Sequence, residues 1–180
     1  MADHTAPEAS NSGGLVRHYK DRGLLFEPAH PDDGFALAPS LREIDEIELR
    51  SIWTGSEDTG LLLSKCVEVS TDAFTISDDA GEIHGLCGHG EWIAGPGRAG
   101  MGCIWLLTDD ILFRHWPLTV TRFARDIFFP AMDVLYPLYG NFVASRNLLH
   151  ARWLLNAGFR RVAPTVINET PFSLYLRRGS

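Results

Sequence analysis

The sequence contains no long hydrophobic run and few cysteines. No window approaches the roughly 20 apolar residues of a membrane-spanning helix, so we expect no span. Residues 1–14 have neither the basic start nor the apolar centre of a secretory signal, so we expect none. The three cysteines are odd in number and share no CxxC spacing, which favours reduced thiols inside a cell.

Lysine is also scarce, and the charges are unevenly placed. Residues 111–180 contain nine arginines, no lysine and three acidic residues, whereas residues 1–110 contain 20 acidic and 7 basic residues. The net charge of −7 excludes a uniformly basic nucleic-acid binder. We expect the arginines of residues 111–180 to form ion pairs with acidic side chains of residues 1–110 in the same chain. The alternative is a patch for a protein or nucleic-acid partner, formed by Arg146, Arg152, Arg160 and Arg161.

The spacing of the apolar residues predicts an α+β (α/β-like) fold, with a mixed sheet and helices on both faces. We expect residues 1–34 to be a flexible, partly disordered extension and residues 35–180 to form one domain. For residues 15–32 two alternatives stay open, an amphipathic docking arm or a part of the domain. The predicted helices cover 40–53, 58–69 and 147–158, with a further helix starting at Pro117. The predicted strands cover 73–78, 82–93, 102–109, 140–145, 159–164 and 172–178.

Three local signals give the boundaries. Phe35 and Leu37 alternate with small residues, as in a first strand. Ser40 and Glu43 have the spacing of a capping box, in which each side chain bonds a free amide at the start of a helix. Pro130 predicts a kink or break in the helix that starts at Pro117.

Several motifs in the second half occur together in one known fold. The strand before Asn147 and the helix that ends at Gly158-Phe159 resemble the GNAT acyltransferase fold. A longer set of matching residues lies between positions 104 and 159: Ile104-Trp105-Leu106-Leu107-Thr108-Asp109, Asn141, Val143, Asn147, His150, Arg152-Trp153-Leu154 and Gly158-Phe159. In these residues the chain resembles, more narrowly, a phage family of internal virion protein A-like proteins, itself built on a GNAT-like fold. The resemblance implies that the strands at 102–109 and 140–145 are parallel neighbours that diverge at their C-terminal ends.

The resemblance also implies a site for acyl-CoA, and here the sequence departs from the pattern. An active GNAT protein binds the pyrophosphate with backbone amides of a glycine-rich loop. The matching residues, 110–117, contain no glycine, and Pro117 lacks one amide donor. Asp109 and Asp110 would repel a pyrophosphate. If acyl-CoA binds, the candidate contacts are Leu106, Thr108, Arg114, His115 and Asn147.

The catalytic residues implied by the resemblance are also incomplete. GNAT enzymes commonly have a tyrosine, seven residues after the helix asparagine, that protonates the leaving thiolate; the matching residue is Leu154. Tyr136 and Tyr139 are substitutes on other elements. The candidates for acid–base catalysis are Asp109, Asp110, His150 and Tyr139. The alternative for the two aspartates is a cap on the next helix.

No metal or dinucleotide site is predicted. Cys87 and His89 share one face of a strand and His84 lies on the other, which leaves too few convergent ligands for zinc. The glycine pattern at residues 95–100 lies between two strands rather than before a helix, so it lacks the context of a dinucleotide loop.

These departures favour a GNAT-fold protein that is catalytically inactive. On the resemblance, we expect a phage-encoded minor virion component or assembly protein that contacts other phage proteins, in the virion or the host cytoplasm. We expect no cofactor and no enzyme-like affinity for acyl-CoA. The alternative is an acetyl-CoA-dependent N-acetyltransferase with an atypical phosphate-binding loop, and a nucleic-acid-associated factor is a third hypothesis. We also expect Asn147 to cap the last helix and Trp153 to be buried against the sheet.

Overall fold

One mixed β-sheet forms the centre of the structure. The computed structural model describes residues 8–10, 18–54, 58–91 and 100–179. The strands are β1 (Glu8–Ser10), β2 (His18–Asp21), β3 (Leu24–Pro28), β4 (Asp72–Asp78), β5 (Ile83–Glu91), β6 (Met101–Thr108), β7 (Leu138–Ala144), β8 (Arg160–Ile167) and β9 (Thr170–Arg178). Their spatial order is β1-β2-β3-β4-β5-β6-β7-β9-β8, and within the described residues only β6 and β7 pair in parallel.

Helices cover both faces of this sheet, which confirms the predicted fold class. They are α1 (Asp33–Leu37), α2 (Glu43–Ile52), α3 (Thr59–Glu68), α4 (Leu112–His115), α5 (Pro117–Phe123), α6 (Phe129–Leu135) and α7 (Leu148–Asn156). Side chains of β5 alternate between two cores: Leu86 packs with α1–α3, and Cys87 packs with α4–α7. None of the described helices has the length and apolar character needed to cross a membrane.

Phe123 of α5 lies at the centre of the larger core. Its ring stacks on Phe26 of β3 with the centroids 4.0 Å apart. Tyr19 of β2 and Phe74 of β4 pack around it at 5.5 and 5.8 Å. Replacement of a buried phenylalanine by alanine lowers the free energy of unfolding by about 3–5 kcal/mol. Phe123→Ala would therefore remove a large part of the stabilisation that comes from packing α5 against the sheet.

The expected extension over residues 1–34 is wrong for residues 18–28. Strands β2 and β3 form a hairpin that adds to the edge of β4, and Tyr19, Leu24 and Phe26 are buried. Arg22 and Gly23 both have positive φ angles, of 52° and 77°, as a two-residue hairpin turn requires. This turn keeps the alternating apolar residues of both strands on one face. Residues 1–7 and 11–17 lie outside the described part of the chain.

The segment predicted as a first strand is helix α1. The amide of His30 donates to Asp33 Oδ2 at 2.8 Å, which opens a helical turn just before Phe35. Leu37 is buried while Phe35 is exposed. Phe35 and Leu37 therefore lie in a single helical turn, in which Leu37 is on the side that packs against the sheet and Phe35 is on the exposed side.

The predicted capping box at the start of α2 is also wrong. Ser40 lies in a 3₁₀ turn, and its hydroxyl donates to the carbonyl of Leu37 at 3.1 Å. Helix α2 begins at Glu43, after Arg42. The amide of Arg42 donates to Thr108 at 3.0 Å, so the start of this helix is fixed by contact with β6.

The helix does not end at Pro130, as a break would require; it continues through this residue as α6 after a change in helix winding. Residues Ala124–Phe128 form a π-helical segment between α5 and α6. Since Pro130 has no amide proton, the carbonyl four residues earlier lacks its ordinary α-helical partner, and the helix widens there.

Helix α7 begins where the sequence predicts. The Asn147 side-chain oxygen accepts the amide of His150 at 3.4 Å, which confirms the predicted cap. Trp153 is only half-buried, with its ring 5.7 Å from Phe129, so the expectation of full burial is wrong. Leu154, the next residue, is buried in the core instead.

Candidate active site

Strands β6 and β7 diverge after a short paired stretch. Pairing joins residues 101–103 to residues 138–140 and then ends, although both strands continue. The predicted parallel and splayed arrangement is therefore confirmed. Because alternate residues of β6 bond to β5, the backbone C=O of Ile104 and the N–H and C=O of Leu106 point into the opening beyond the last pair with β7, which we call the gap.

Helix α2 closes one end of the gap by bonding to both strands. The amide of Thr108, on β6, donates to Asp45 Oδ2 at 2.9 Å. The amide of Ala144, on β7, donates to Glu48 Oε1 at 2.8 Å. Asp45 and Glu48 are three residues apart, so they project from the same face of the helix. One helix thus holds the diverging ends of both strands.

These two carboxylates belong to a network of five buried polar side chains: Arg42, Asp45, Glu48, Asn147 and His150. Two nitrogens of the Arg42 guanidinium donate to the Asp45 carboxylate, at 2.6 and 3.0 Å. The Asn147 amide nitrogen lies 3.2 Å from Asp45 Oδ1 and 3.0 Å from Glu48 Oε1. Arg42 therefore balances the charge of Asp45, while Glu48 has no cation of its own in the network.

His150 belongs to this network but is not free to act as a base. Its burial lowers the pKa to about 4, with Asp45 opposing this effect and Arg42 adding to it. The ring is therefore neutral near pH 7. The guanidinium of Arg42 can only donate, so His150 Nε2 accepts from it, at 2.8 Å. The accepting nitrogen of His150 is already in use.

Glu48 has the properties of a general base. Burial raises its pKa to about 7, and the negative charge of Asp45 adds to this effect. The hydrogen bonds from Asn147 and Ala144 both end on Oε1 and only partly oppose the shift. A carboxylate whose pKa lies near the ambient pH can accept a proton and release it again.

Two cavities meet at the gap. The larger, of about 430 Å³, lies on the face covered by α2 and α3, and Glu48 lines it. The smaller, of about 40 Å³, lies on the opposite face and is narrowed by aromatic side chains of α5, α6 and α7. Both are lined by Trp105, Leu106 and Asn141. We call the larger one the α2 cavity; it connects the base to the open edge of β6.

Solved structures share this fold across nearly the whole chain. An N-acetyltransferase from Staphylococcus aureus Mu50 is 11% identical, with a TM-score of 0.64 over 88% of this chain and 100% of that chain. A probable GNAT-family acetyltransferase from Chromobacterium violaceum is 14% identical, with a TM-score of 0.62 over 95% and 94% of the two chains. The chain has the GNAT fold. A putative acetyltransferase from Salmonella typhimurium, solved with its cofactor acetyl-CoA, is 13% identical with a TM-score of 0.59 over 88% and 95%.

The comparisons establish the GNAT fold and nothing finer. No protein-family model matches the chain, and no curated protein sequence matches it either. Identities of 11–14% are too low to transfer an activity between GNAT-fold proteins. The narrower resemblance to phage internal virion proteins therefore stays a prediction.

At the end of β6, where GNAT enzymes bind pyrophosphate, an aspartate takes the free amides. Asp109 Oδ1 accepts the amides of Ile111 and Leu112 at 3.0 and 2.8 Å. Its other oxygen, Oδ2, lies 2.7 Å from His84 Nδ1. Asp109 thus caps the start of α4, which is the structural alternative considered for it. The neighbouring candidates Asp110, Arg114 and His115 are exposed.

The structure brings together only some of the candidates from the sequence. Asn147 and His150 lie in the network, and Leu106 lies at the gap. The backbone N–H of Thr108 already donates to Asp45, and its C=O already accepts from the amide of Arg42. Tyr139 is separate: its hydroxyl donates to Asp133 at 2.7 Å, and burial raises its pKa. Most of the glycine pattern at 95–100 lies outside the described residues.

Three network residues on and next to α2 are not among those predicted from the sequence: Arg42, Asp45 and Glu48. A signal for them does exist in the sequence. Asp45 and Glu48 have the i, i+3 spacing of one helix face, and Leu49 beside them is buried. Acidic residues that share a face with core residues are expected to have polar partners, and here these partners are about 100 residues away in the chain.

Proposed function

We propose that this protein is an acyl-CoA-dependent N-acyltransferase in which Glu48 is the general base. The observation that carries the proposal is the position of Glu48. Its carboxylate lines the α2 cavity beside the gap, and its pKa is raised to about 7 by burial. An amine must lose a proton before or during acyl transfer, and a carboxylate with this pKa can take it.

The open edge of β6 fits the amide-bearing arm of an acyl-CoA. The C=O of Ile104 and the N–H and C=O of Leu106 face the gap, and an extended molecule with amide groups can pair with such an edge as a strand does. Bound there, acyl-CoA would supply an activated thioester. Leu106 lines both cavities, so this edge joins the two faces of the sheet.

The network prepares Glu48 for its role. Asn147 and Ala144 hold Oε1, which fixes the orientation of the carboxylate. Arg42 is bonded to Asp45 and to His150, and its charge lowers the pKa of Glu48 by less than burial and Asp45 raise it. The apolar lining of the α2 cavity, including Leu49 and Trp53, disfavours a charged amine and so favours the neutral, nucleophilic form.

The test is acyl transfer from acetyl-CoA to a panel of primary amines, including peptide N-termini. We expect Glu48→Gln to lower kcat/KM by about 10²–10⁴-fold and to abolish the rise of rate with pH near 7. The dissociation constant for acetyl-CoA should not change. Glu43→Gln is the matched control, because Glu43 is exposed on the first turn of the same helix. Transfer by Glu48→Gln at the wild-type rate would refute the assignment of the base.

Asp109 favours a second candidate function, a GNAT-fold protein that does not transfer acyl groups. Such a protein would serve as a minor virion component or in virion assembly. Asp109 occupies amides that would otherwise be free for a pyrophosphate, and Leu154 stands where the GNAT tyrosine is expected. Isothermal titration with acetyl-CoA separates the two. A dissociation constant below about 50 μM, weakened by Arg114→Ala, supports the enzyme, and none below about 1 mM supports the second candidate.

A further inference from the structure

A second group of ligating side chains lies at the turn between β4 and β5. Asp78, Glu82 and His84 each offer one ligand atom, and these atoms all lie within 4.8 Å of one another. Glu82 is exposed, Asp78 is half-buried and His84 is buried. We call these three residues the turn cluster. It has no part in the acyl-transfer proposal.

One nitrogen of His84 is bonded and the other is not. Nδ1 lies 2.7 Å from Asp109 Oδ2, and since a carboxylate only accepts, Nδ1 carries the proton. Nε2 is buried and has no hydrogen-bond partner among the described residues. The ring of Trp116 packs beside the imidazole, with the centroids 5.2 Å apart. A buried polar atom without a partner is rare in folded proteins, so Nε2 needs an explanation.

The spacing between Nε2 and Asp78 is informative. Nε2 lies 3.6 Å from Asp78 Oδ2, which is too long for a hydrogen bond. Two ligands of one tetrahedral zinc ion, at about 2.0–2.1 Å each, lie about 3.3–3.4 Å apart. Asp78 Oδ1 accepts the amides of Ala80 and Glu82, both at 2.9 Å, which fixes the carboxylate with Oδ2 toward His84. These hydrogen bonds also lower the pKa of Asp78.

We propose that Asp78, Glu82 and His84 bind a divalent transition-metal ion such as Zn²⁺. One imidazole nitrogen with two carboxylate oxygens suits Zn²⁺, Co²⁺ or Mn²⁺ better than Ca²⁺ or Mg²⁺, which prefer oxygen alone. The hydrogen bond from His84 Nδ1 to Asp109 is the outer contact that orients metal-bound histidines in general. Since Asp109 also caps α4, the ion would connect the β4–β5 turn to the end of β6 and the start of α4.

The test is a calorimetric titration of the full-length protein with ZnCl₂, after the protein has been treated with a chelator and desalted. We expect one ion per chain. Asp78→Asn and Glu82→Gln should each weaken binding by more than about 10-fold, because loss of an outer contact to a ligand already costs about 10–100-fold. Both substitutions keep the size of the side chain, and neither removes a group from the core. Asp79→Asn is the matched control, because it removes the same charge from the same turn outside the cluster, and it should leave the affinity within about twofold.

A second measurement distinguishes this site from the cysteines. Co²⁺ bound at the turn cluster should give visible absorption bands without thiolate charge-transfer bands, and Asp78→Asn should remove them. Three results would overturn the proposal: no saturable binding of Zn²⁺ below about 100 μM, equal affinity in Asp78→Asn and the wild type, or a cobalt spectrum with thiolate bands.

Discussion

Replacing Glu48 with glutamine should change the way stability depends on pH. The pKa of Glu48 is about 7 in the folded protein, against 4.5 for a free side chain. Between these values the unfolded chain has lost the proton while the folded chain retains it. The stability of the wild type therefore falls as pH rises through this window. The separation of the two pKa values corresponds to about 3 kcal/mol.

The variant lacks this titration but keeps the hydrogen bonds. A glutamine carbonyl can accept from Ala144 and Asn147 as Oε1 does, with its amide nitrogen toward the α2 cavity. Near pH 5, where folded Glu48 is protonated, the two proteins should have similar free energies of unfolding. By pH 8 the variant should be more stable than the wild type by up to about 3 kcal/mol.

Urea unfolding at pH 5, 6, 7 and 8, followed by tryptophan fluorescence, measures this difference. With a slope of about 2 kcal/mol/M, the urea midpoint of the variant should exceed that of the wild type by about 1–2 M at pH 8. Glu43→Gln, at an exposed site on the same helix, should show a difference that does not vary with pH. If the Glu48→Gln difference is also constant from pH 5 to 8, the pKa of Glu48 is not raised by folding, and the assignment of the base loses the property on which it depends.

Three further predictions concern the interior. Asn147→Ala should lower the free energy of unfolding in urea by about 2–4 kcal/mol. This is more than the roughly 1 kcal/mol of a helix cap, because the Asn147 amide also bonds two buried carboxylates. A loss of only about 1 kcal/mol would contradict this prediction. Arg42→Ala should cost about 3–5 kcal/mol because Asp45 stays buried without its cation, and combining it with Asp45→Ala should cost less than the sum of the two single changes. Burial raises the pKa of all three thiols to about 11 or 12, so at pH 8 none should react with a disulfide reagent until urea unfolds the chain; the thiols are Cys66, Cys87 and Cys103.

Local patterns predicted most of the sheet and the last helix. The strands around Ile104 and Val143 have continuous apolar residues, and the cap at Asn147 depends on a contact three residues away. The errors occur where tertiary contacts decide the structure. Phe35 lies in a helical turn rather than a strand, and Tyr19 is buried in a hairpin that the short, charged segment did not reveal.

The candidate site was less accessible from the sequence than the fold. His150 and Asn147 are recognisable because they lie in a motif, but their roles depend on residues of α2 that are far away in the chain. Glu48 is one of several acidic residues on that helix, and its contacts with Ala144 of β7 and with Asn147 distinguish it. Its raised pKa arises from burial and from the charge of Asp45, which require the folded structure.

Backbone amides of β6 and β7 donate hydrogen bonds to Asp45 and Glu48 of α2. These two hydrogen bonds also affect the energetics of ligand binding. Asp45 and Glu48 belong to the chain itself, so the separation of the two strands is part of the folded state and its cost is included in the free energy of folding. A molecule that binds in the gap does not have to pull the strands apart. Such preorganisation lets each new contact contribute to affinity in full, which favours binding of a long, flexible molecule that must itself be ordered.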